Sequence, residues 1–279
     1  APVKVARMFM AESTHAQSIA LMKFLSNLAK RLGVAKHVYV VGGAVRNFVI
    51  KQPIKDIDMV IDSLTLGKDS AWLAKQIQRA ITTQTKLVVD DYGVSKVKIL
   101  GPMQYDGEDL QGQEIEIANA RSESYTEDSD KPEVNWTTLE QDVYRREFTF
   151  NTLMWRLHDL ANGPDKAEIL DITGCGLKDL QEGTARCPAD PDKTFKDDPT
   201  RMIRAVKFYV KYGLKVDKET ETAIRRNRRW LHKSKPDAIV SLVIDVLLKG
   251  PKPKESLDEL NRLGVLETLK EIMQKHQPF

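Results

Sequence analysis

Apolar and polar positions alternate along this chain with two different periods. From Gln17 to Leu32, Ile19, Met22, Leu25, Leu28 and Leu32 recur every three or four residues, which predicts an amphipathic helix. Val38 to Val41 is a β-branched run that stops at Gly42-Gly43, and Ala44 to Ile50 can open a helix behind it. Ile54 to Ile61 then switches to a period of two. Asp56, Asp58 and Val60 fall on one side, Ile57, Met59 and Ile61 on the other, an alternation that only a strand accommodates. The pattern predicts a helix over Ser70–Ile81 and strands over Thr85–Val89, Ser95–Leu100 and Glu114–Asn119, with Gly101–Gly112 as a loop. The polar, acidic segment from Ser122 to Asn135 reads as a mobile excursion.

The second half is helical in pattern. Thr138-Leu-Glu-Gln141 has capping-box spacing, so a helix is expected to start there and run past Asn151. Asp198-Pro199 reads as an N-cap followed by proline at the first helical position. The helix so begun would bury Met202, Ala205, Val206, Phe208 and Tyr209. Further helices are predicted over Glu219–Leu231, Ala238–Leu248 and Ser256–Gln274, with a Gly/Pro/Lys linker at Lys249–Lys254.

Composition narrows the function classes. The chain has 279 residues, 41% hydrophobic and 30% charged, with a formal net charge of +3. That near balance excludes a histone-like tail protein and an acidic disordered chain. Its two cysteines, Cys175 and Cys187, form no Cys-x-x-Cys pair, so neither a disulfide framework nor a zinc module is expected. The longest apolar stretch, Ile239–Leu248, is broken by Ser241 and Asp245, and no sustained apolar run follows Lys4 and Arg7. No membrane span or secretory signal is read, and a cytoplasmic location is the expectation.

The charge is unevenly spread. Acids outnumber bases by nine between Asp106 and Glu147, and bases outnumber acids by nine between Lys193 and Lys235. A basic stretch of that density suits a polyanion or a solvated helix face. Arg225, Arg226, Arg228 and Arg229 beside Trp230 tip the reading slightly toward nucleic acid, because guanidinium and indole groups both stack on bases.

The chemistry concentrates between Gly42 and Asp58. Carboxylates two apart on a strand project from one face, where they repel unless a cation neutralises them. Oxygen ligands of this kind suit Mg²⁺, held by Asp56 and Asp58 together with substrate phosphates. An ordinary solvated strand edge is the alternative. Gly42-Gly43 lets the backbone approach a phosphate closely, with Arg46 as a fixed positive charge nearby; a plain tight turn is the bland reading.

Four segments in order carry a family resemblance: Val41-Gly-Gly-Ala-Val-Arg-Asn47 with Asp56-Ile-Asp58, Asp142-Val-Tyr-Arg-Arg-Glu-Phe-Thr-Phe-Asn151, Asp171 to Leu180, and Asp197-Asp198-Pro-Thr-Arg201. The sequence resembles the class II nucleotidyltransferases, the tRNA CCA-adding enzymes and bacterial poly(A) polymerases. The resemblance implies an α+β fold, a polymerase β-like mixed-sheet head followed by an all-helical neck and a short C-terminal body. The corresponding divisions are residues 1–160, 161–235 and 236–279. It implies that Asp56 and Asp58 hold Mg²⁺ and orient an RNA 3′-hydroxyl, with Glu116 as a candidate third carboxylate or, alternatively, a solvated strand acid. It places Gly42, Gly43, Arg46, Arg145, Arg146 and Asn151 on the nucleotide, with Asp198 and Arg201 reading the base edge without a template.

The resemblance also implies CTP, ATP and tRNA as partners. Departures from the family pattern are Asn47 and Glu147, each for Asp, and Asp197 for Glu. Asp171 and Asp179 read as turn caps, and none of the five scattered histidines is given a role. The rivals are a poly(A) polymerase, a nucleotidyltransferase acting on a non-RNA acceptor, and an inactive RNA-binding protein of the same fold.

Overall fold

The β-branched runs and alternating segments of the first half meet in one sheet. In the computed structural model, which describes residues 12–124 and 133–275, its strands are β1 (Val38–Val41), β2 (Ile57–Ile61), β3 (Thr85–Val89), β4 (Ser95–Ile99), β5 (Glu114–Asn119), β6 (Met154–Arg156) and β7 (Ile169–Leu170). Their order is β7-β6-β1-β2-β5-β4-β3. Only β2 and β5 run parallel; every other neighbouring pair is antiparallel. The sheet is therefore mixed, as expected for an α+β fold. Every residue of β1 is buried, and Ile57, Met59 and Ile61 of β2 are fully enclosed, each such side chain contributing about 1.5–3 kcal/mol.

Helix α1 (Glu12–Arg31) buries Leu21, Met22, Leu25 and Leu28, and Ser18 Oγ ties it to Ile54 O at 2.9 Å. Helix α2 (Gly43–Val49) follows β1 directly, and its Phe48 stands edge-on to buried Trp155. Helix α3 (Ser70–Ala80) lays Leu73, Ala74 and Ile77 on β4 and β5. Within the predicted loop Gly101–Gly112, Gln104–Tyr105 pairs with Glu108–Asp109.

The chain forms two compact units. One comprises residues up to Ala120 with Met154–Leu170; the other comprises Arg121–Leu153 and the chain from Asp171 onward. The second unit opens with an antiparallel ribbon, Arg121–Ser124 against Glu133–Trp136. The ends of the predicted acidic excursion are thus paired, while residues 125–132 lie outside the described residues. Helices α4 (Leu139–Tyr144), α5 (Gly176–Glu182), α6 (Pro191–Asp197), α7 (Arg201–Tyr212), α8 (Lys218–Asn227), α9 (Pro236–Val243), α10 (Pro253–Arg262) and α11 (Val265–Lys275) complete it. Phe148, Phe150, Phe195, Met202 and Val206 are fully buried in its core. Phe208 packs edge-on to Phe148 and Phe150 at 5.8 and 5.1 Å.

Several expected boundaries are corrected. The Thr138 cap forms, its side chain accepting from Gln141 N at 3.3 Å, but α4 ends at Tyr144 instead of running past Asn151. Phe148 is extended and a short 3-10 turn over Thr149–Asn151 follows it, with Phe148, Thr149 and Phe150 all enclosed. Asp198 is the C-cap of α6, not the N-cap of the next helix. Pro199 drives the residue before it out of helical geometry, and α7 starts only at Arg201. On α7, Ile203 and Val210 join Met202, Ala205 and Val206 on the buried face, while Phe208 and Tyr209 are half-buried. The predicted Ser256–Gln274 helix is two helices parted at Gly264, whose φ of +74° is left-handed. Among the described residues no helix is long and apolar enough to cross a membrane.

Candidate active site

In the sheet-bearing unit, the turn between β1 and α2 carries the first group of candidate residues. Gly42 has φ +69° and ψ −118°, which a side chain would strain, and Gly43 starts α2. Arg46, three residues on, is buried, and its Nε and Nη2 donate to Asn47 Oδ1 at 3.1 and 2.9 Å. Asn47 Nδ2 in turn donates to Pro53 O at 2.7 Å. The Asn47 amide therefore fixes Arg46 and also anchors the segment leading into β2.

The two aspartates stand at the entrance of β2. Asp58 is its second residue and half-buried; Asp56 lies one residue before the strand and is exposed. The strand is thus shorter at its start than the alternation predicted. Register places Asp58 beside Glu116 on β5, and Glu116 beside Lys96 on β4. Residues in register on adjacent strands share a face, so Asp58, Glu116 and Lys96 form a row across three strands. Lys96 Nζ lies 2.6 Å from Glu116 Oε2.

Asp56 and Asp58 fit a hard divalent ion that keeps several waters, being two oxygen donors at an accessible strand end. Among the described residues no group of three or more potential ligands gathers around one point. Glu116, the candidate third carboxylate, stands beside Asp58 in register and is paired with Lys96.

In the helical unit, Asp142 is the hub. Its carboxylate is fully buried and accepts from Arg145 Nε and Nη2 at 3.0 and 2.7 Å, from Arg146 Nε and Nη2 at 3.2 and 2.8 Å, and from Arg121 N at 3.2 Å. Burial pushes this carboxyl upward more than any other single influence. The guanidiniums of Arg146 and Arg145 and the bonds they donate outweigh it together, and hold the group below the ordinary carboxylate range. Arg145 and Arg146 follow the helix end and do not lie within the helix as expected.

A second network joins residues 147 to 204. Asn151 Nδ2 donates to Glu147 Oε1 at 2.9 Å, and Arg204 pairs Nε with Glu147 Oε2 at 2.7 Å and Nη2 with Asp198 Oδ2 at 2.8 Å. Asp198 Oδ1 also accepts from Thr200 N at 3.0 Å, and Arg201 Nε stands 3.7 Å from Oδ2. Buried Arg201 donates through Nη1 to Thr194 O at 3.2 Å. Asp171 and Asp179 are structural: Asp171 accepts from Leu177 N at 3.0 Å, and buried Asp179 holds Thr149 Oγ1 and Arg186 Nε.

The arginine cluster stands apart from both networks. Arg225 pairs with Glu221 at 3.1 Å, Arg226 with Asp192, and Arg228 Nη1 donates to Arg225 O, while Arg229 is exposed. Trp230 is covered by Lys233, 4.3 Å from its centroid. Part of the basic density is thus neutralised inside the fold.

Sequence reasoning gave no role to Asp142, Arg204 or Lys96. Asp142 precedes Arg145 and Arg146 by three and four residues, spacing that brings helical side chains together. Arg204 is one turn beyond Arg201. Lys96 and Lys98 alternate on β4 as Glu114 and Glu116 do on β5, the charge pattern of a paired sheet face.

The chain is similar to several known proteins. A CCA-adding enzyme of Ligilactobacillus salivarius is 30% identical over 239 residues, covering 85% of this chain and 52% of its own. The mitochondrial CCA tRNA nucleotidyltransferase of Saccharomyces cerevisiae is 28% identical over 230 residues, covering 80% of this chain and 40% of its own. The chain thus spans about half the length of the curated relatives it matches. A solved apo CCA-adding enzyme superposes with a TM-score of 0.71 at 25% identity, over 92% of this chain and 55% of that one. The family described as Poly A polymerase head domain matches residues 38–186, more than half of the sequence and including Gly42-Gly43, Asp56, Asp58, Arg145 and Arg146, and the chain belongs to that family.

Proposed function

We propose that the chain transfers nucleotides, without a template, to RNA 3′ ends, and that its reaction is the addition of CCA to tRNA from CTP and ATP with Mg²⁺. The observation that carries this reading is the Asp56/Asp58 pair at the entrance of β2 behind the Gly42-Gly43 turn, in a member of this family whose relatives are named for CCA addition.

Asp56 and Asp58 hold the ion, which when bound activates a hydroxyl and clamps phosphate oxygens. Backbone N–H groups at Gly42-Gly43 and the charge of Arg46, kept in place by Asn47, neutralise phosphate. In the helical unit Asp142 presents Arg145 and Arg146 as a fixed pair of forks suited to a triphosphate, and Asn151 bonds the ribose or a phosphate. Asp198 and Arg201 offer an acceptor and a forked donor to the base edge. A wrong base leaves those groups unpaired, which accounts for selection without a template. Arg229, and Arg225, Arg226 and Arg228 on exchange of their internal partners, contact the RNA backbone.

The family description itself names poly(A) polymerases, which keeps a second reading in view. The test is extension of a tRNA lacking its 3′ terminus with CTP alone, ATP alone, or both. CCA addition requires two C with CTP alone, completion by one A when ATP is added, and no long tail. ATP tailing without prior C incorporation selects the poly(A) reading. No extension of any RNA, with nucleotide transferred to a protein or small molecule, selects the non-RNA acceptor.

A further inference from the structure

The row Asp58–Glu116–Lys96 has a property that the metal-binding reading does not require. Three registered positions on β2, β5 and β4 put one aspartate, one glutamate and one lysine side by side, and the lysine is bonded to the middle group at 2.6 Å. Neither partner is enclosed: the side chains of Lys96 and Glu116 are 47% and 38% exposed. A cross-strand pair this open contributes little to stability, about 1 kcal/mol or less. Its placement matters more than its strength, because Glu116 is the carboxylate next to Asp58 and the one best placed to join it on a cation. The hydrogen bond and charge of Glu116 hold the Lys96 ammonium above its usual range, against a modest opposing effect of burial, with Glu114 and Asp58 adding to the charge it feels. Lys96 therefore sits in the field of the candidate metal site without belonging to its donor set.

We propose that Lys96 is a positioning residue that withholds Glu116 from the metal, keeping the site at two carboxylates. Two carboxylates leave a divalent ion most of its positions for water and substrate phosphate. A third would add one more negative charge where the triphosphate must arrive and would hold the ion against product release. This inference rests on the reading of Asp56 and Asp58 as the metal ligands, and its test separates the two.

The test is direct binding of Mn²⁺, followed by electron paramagnetic resonance, to the intact chain and to Lys96→Met, Lys96→Arg, Glu116→Gln, Lys96→Met/Glu116→Gln and Asp58→Asn variants, with circular dichroism to verify folding. Lys96→Met is expected to bind Mn²⁺ about three- to tenfold more tightly, since a freed carboxylate adds a charge and an oxygen donor at short range. Lys96→Arg keeps the ion pair and wild-type affinity. Glu116→Gln alone changes affinity by less than about twofold, and adding it to Lys96→Met returns the affinity to the wild-type value. Unchanged or weaker binding in Lys96→Met, with binding impaired in Asp58→Asn, overturns the proposal and leaves the metal-ligand reading standing. So does a loss in Glu116→Gln as large as that in Asp58→Asn, which would make Glu116 a ligand. Binding indifferent to Asp58→Asn overturns both.

Discussion

Asp198 and Arg204 meet through Oδ2 and Nη2 at 2.8 Å, and the same guanidinium reaches Glu147 with Nε at 2.7 Å. One arginine thus ties the residue proposed to read the base to the segment that carries Asn151. Arg204→Gln removes a charged hydrogen bond to Asp198 and an ion pair with Glu147, together worth about 1 kcal/mol at this half-exposed position. The expected outcome is a fall of about tenfold in kcat/KM for CTP and ATP, with a larger share of misincorporated G and U. Single-nucleotide incorporation with each of the four triphosphates measures it.

Asp142 makes a separate prediction about pH. Its carboxyl is held below the ordinary range in the folded chain, so the folded state binds the proton less readily than the unfolded one. The stability it supplies is complete above the unfolded value of about 3.9 and is lost as pH falls through the lower folded value. Asp142→Asn removes the buried counter-charge of two part-exposed guanidinium groups, which costs about 1.5–3 kcal/mol. Urea unfolding at neutral pH should show that loss, and the variant should lack this part of the acid-dependent decline seen in the wild-type chain.

Gly42 tests the turn. At φ +69° and ψ −118° alanine carries a backbone penalty of about 1–3 kcal/mol. Gly42→Ala should lower the thermal midpoint and raise KM for nucleotide, whereas alanine at Gly33, also at positive φ but outside the β1–α2 turn, should lower the midpoint without changing KM. Melting curves and nucleotide titrations check both.

The two thiols should differ in reactivity. Burial pushes the Cys187 thiol up to about 12, and the thiolate is the reactive form. Cys175 is half-buried. A chromogenic disulfide reagent near neutral pH should report one fast thiol in the native chain and two after denaturation, with Cys175→Ser abolishing the fast one.

The parts of this fold that local patterning controls were legible in the sequence. The strand and helix on either side of Gly42-Gly43 follow from β-branching and glycine, and the alternation Ile57, Met59, Ile61 marks the enclosed face of β2. What could not be read came from distant residues. The helix opened by Thr138 stops at Tyr144, and the chain goes on to bury Phe148, Thr149 and Phe150 in succession; a capping box marks where a helix starts and carries no information about where it ends. Asp198 looked like an N-cap because aspartate before proline usually is one; in the fold it closes α6 and is held by Arg204. The pairing of Glu116 with Lys96 was not legible either, because Lys96 lies twenty residues earlier on another strand and only the register reveals the pair.

The claim on which the rest stands is that Asp58 serves nucleotidyl transfer. The most direct measurement is the single-turnover rate of CMP addition to a tRNA lacking its 3′ terminus, for the wild-type chain and for Asp58→Ala, in Mg²⁺. The account predicts CMP addition by the wild type and a rate at least about a thousandfold lower in the variant, with its folding intact. An undiminished rate in Asp58→Ala would contradict it.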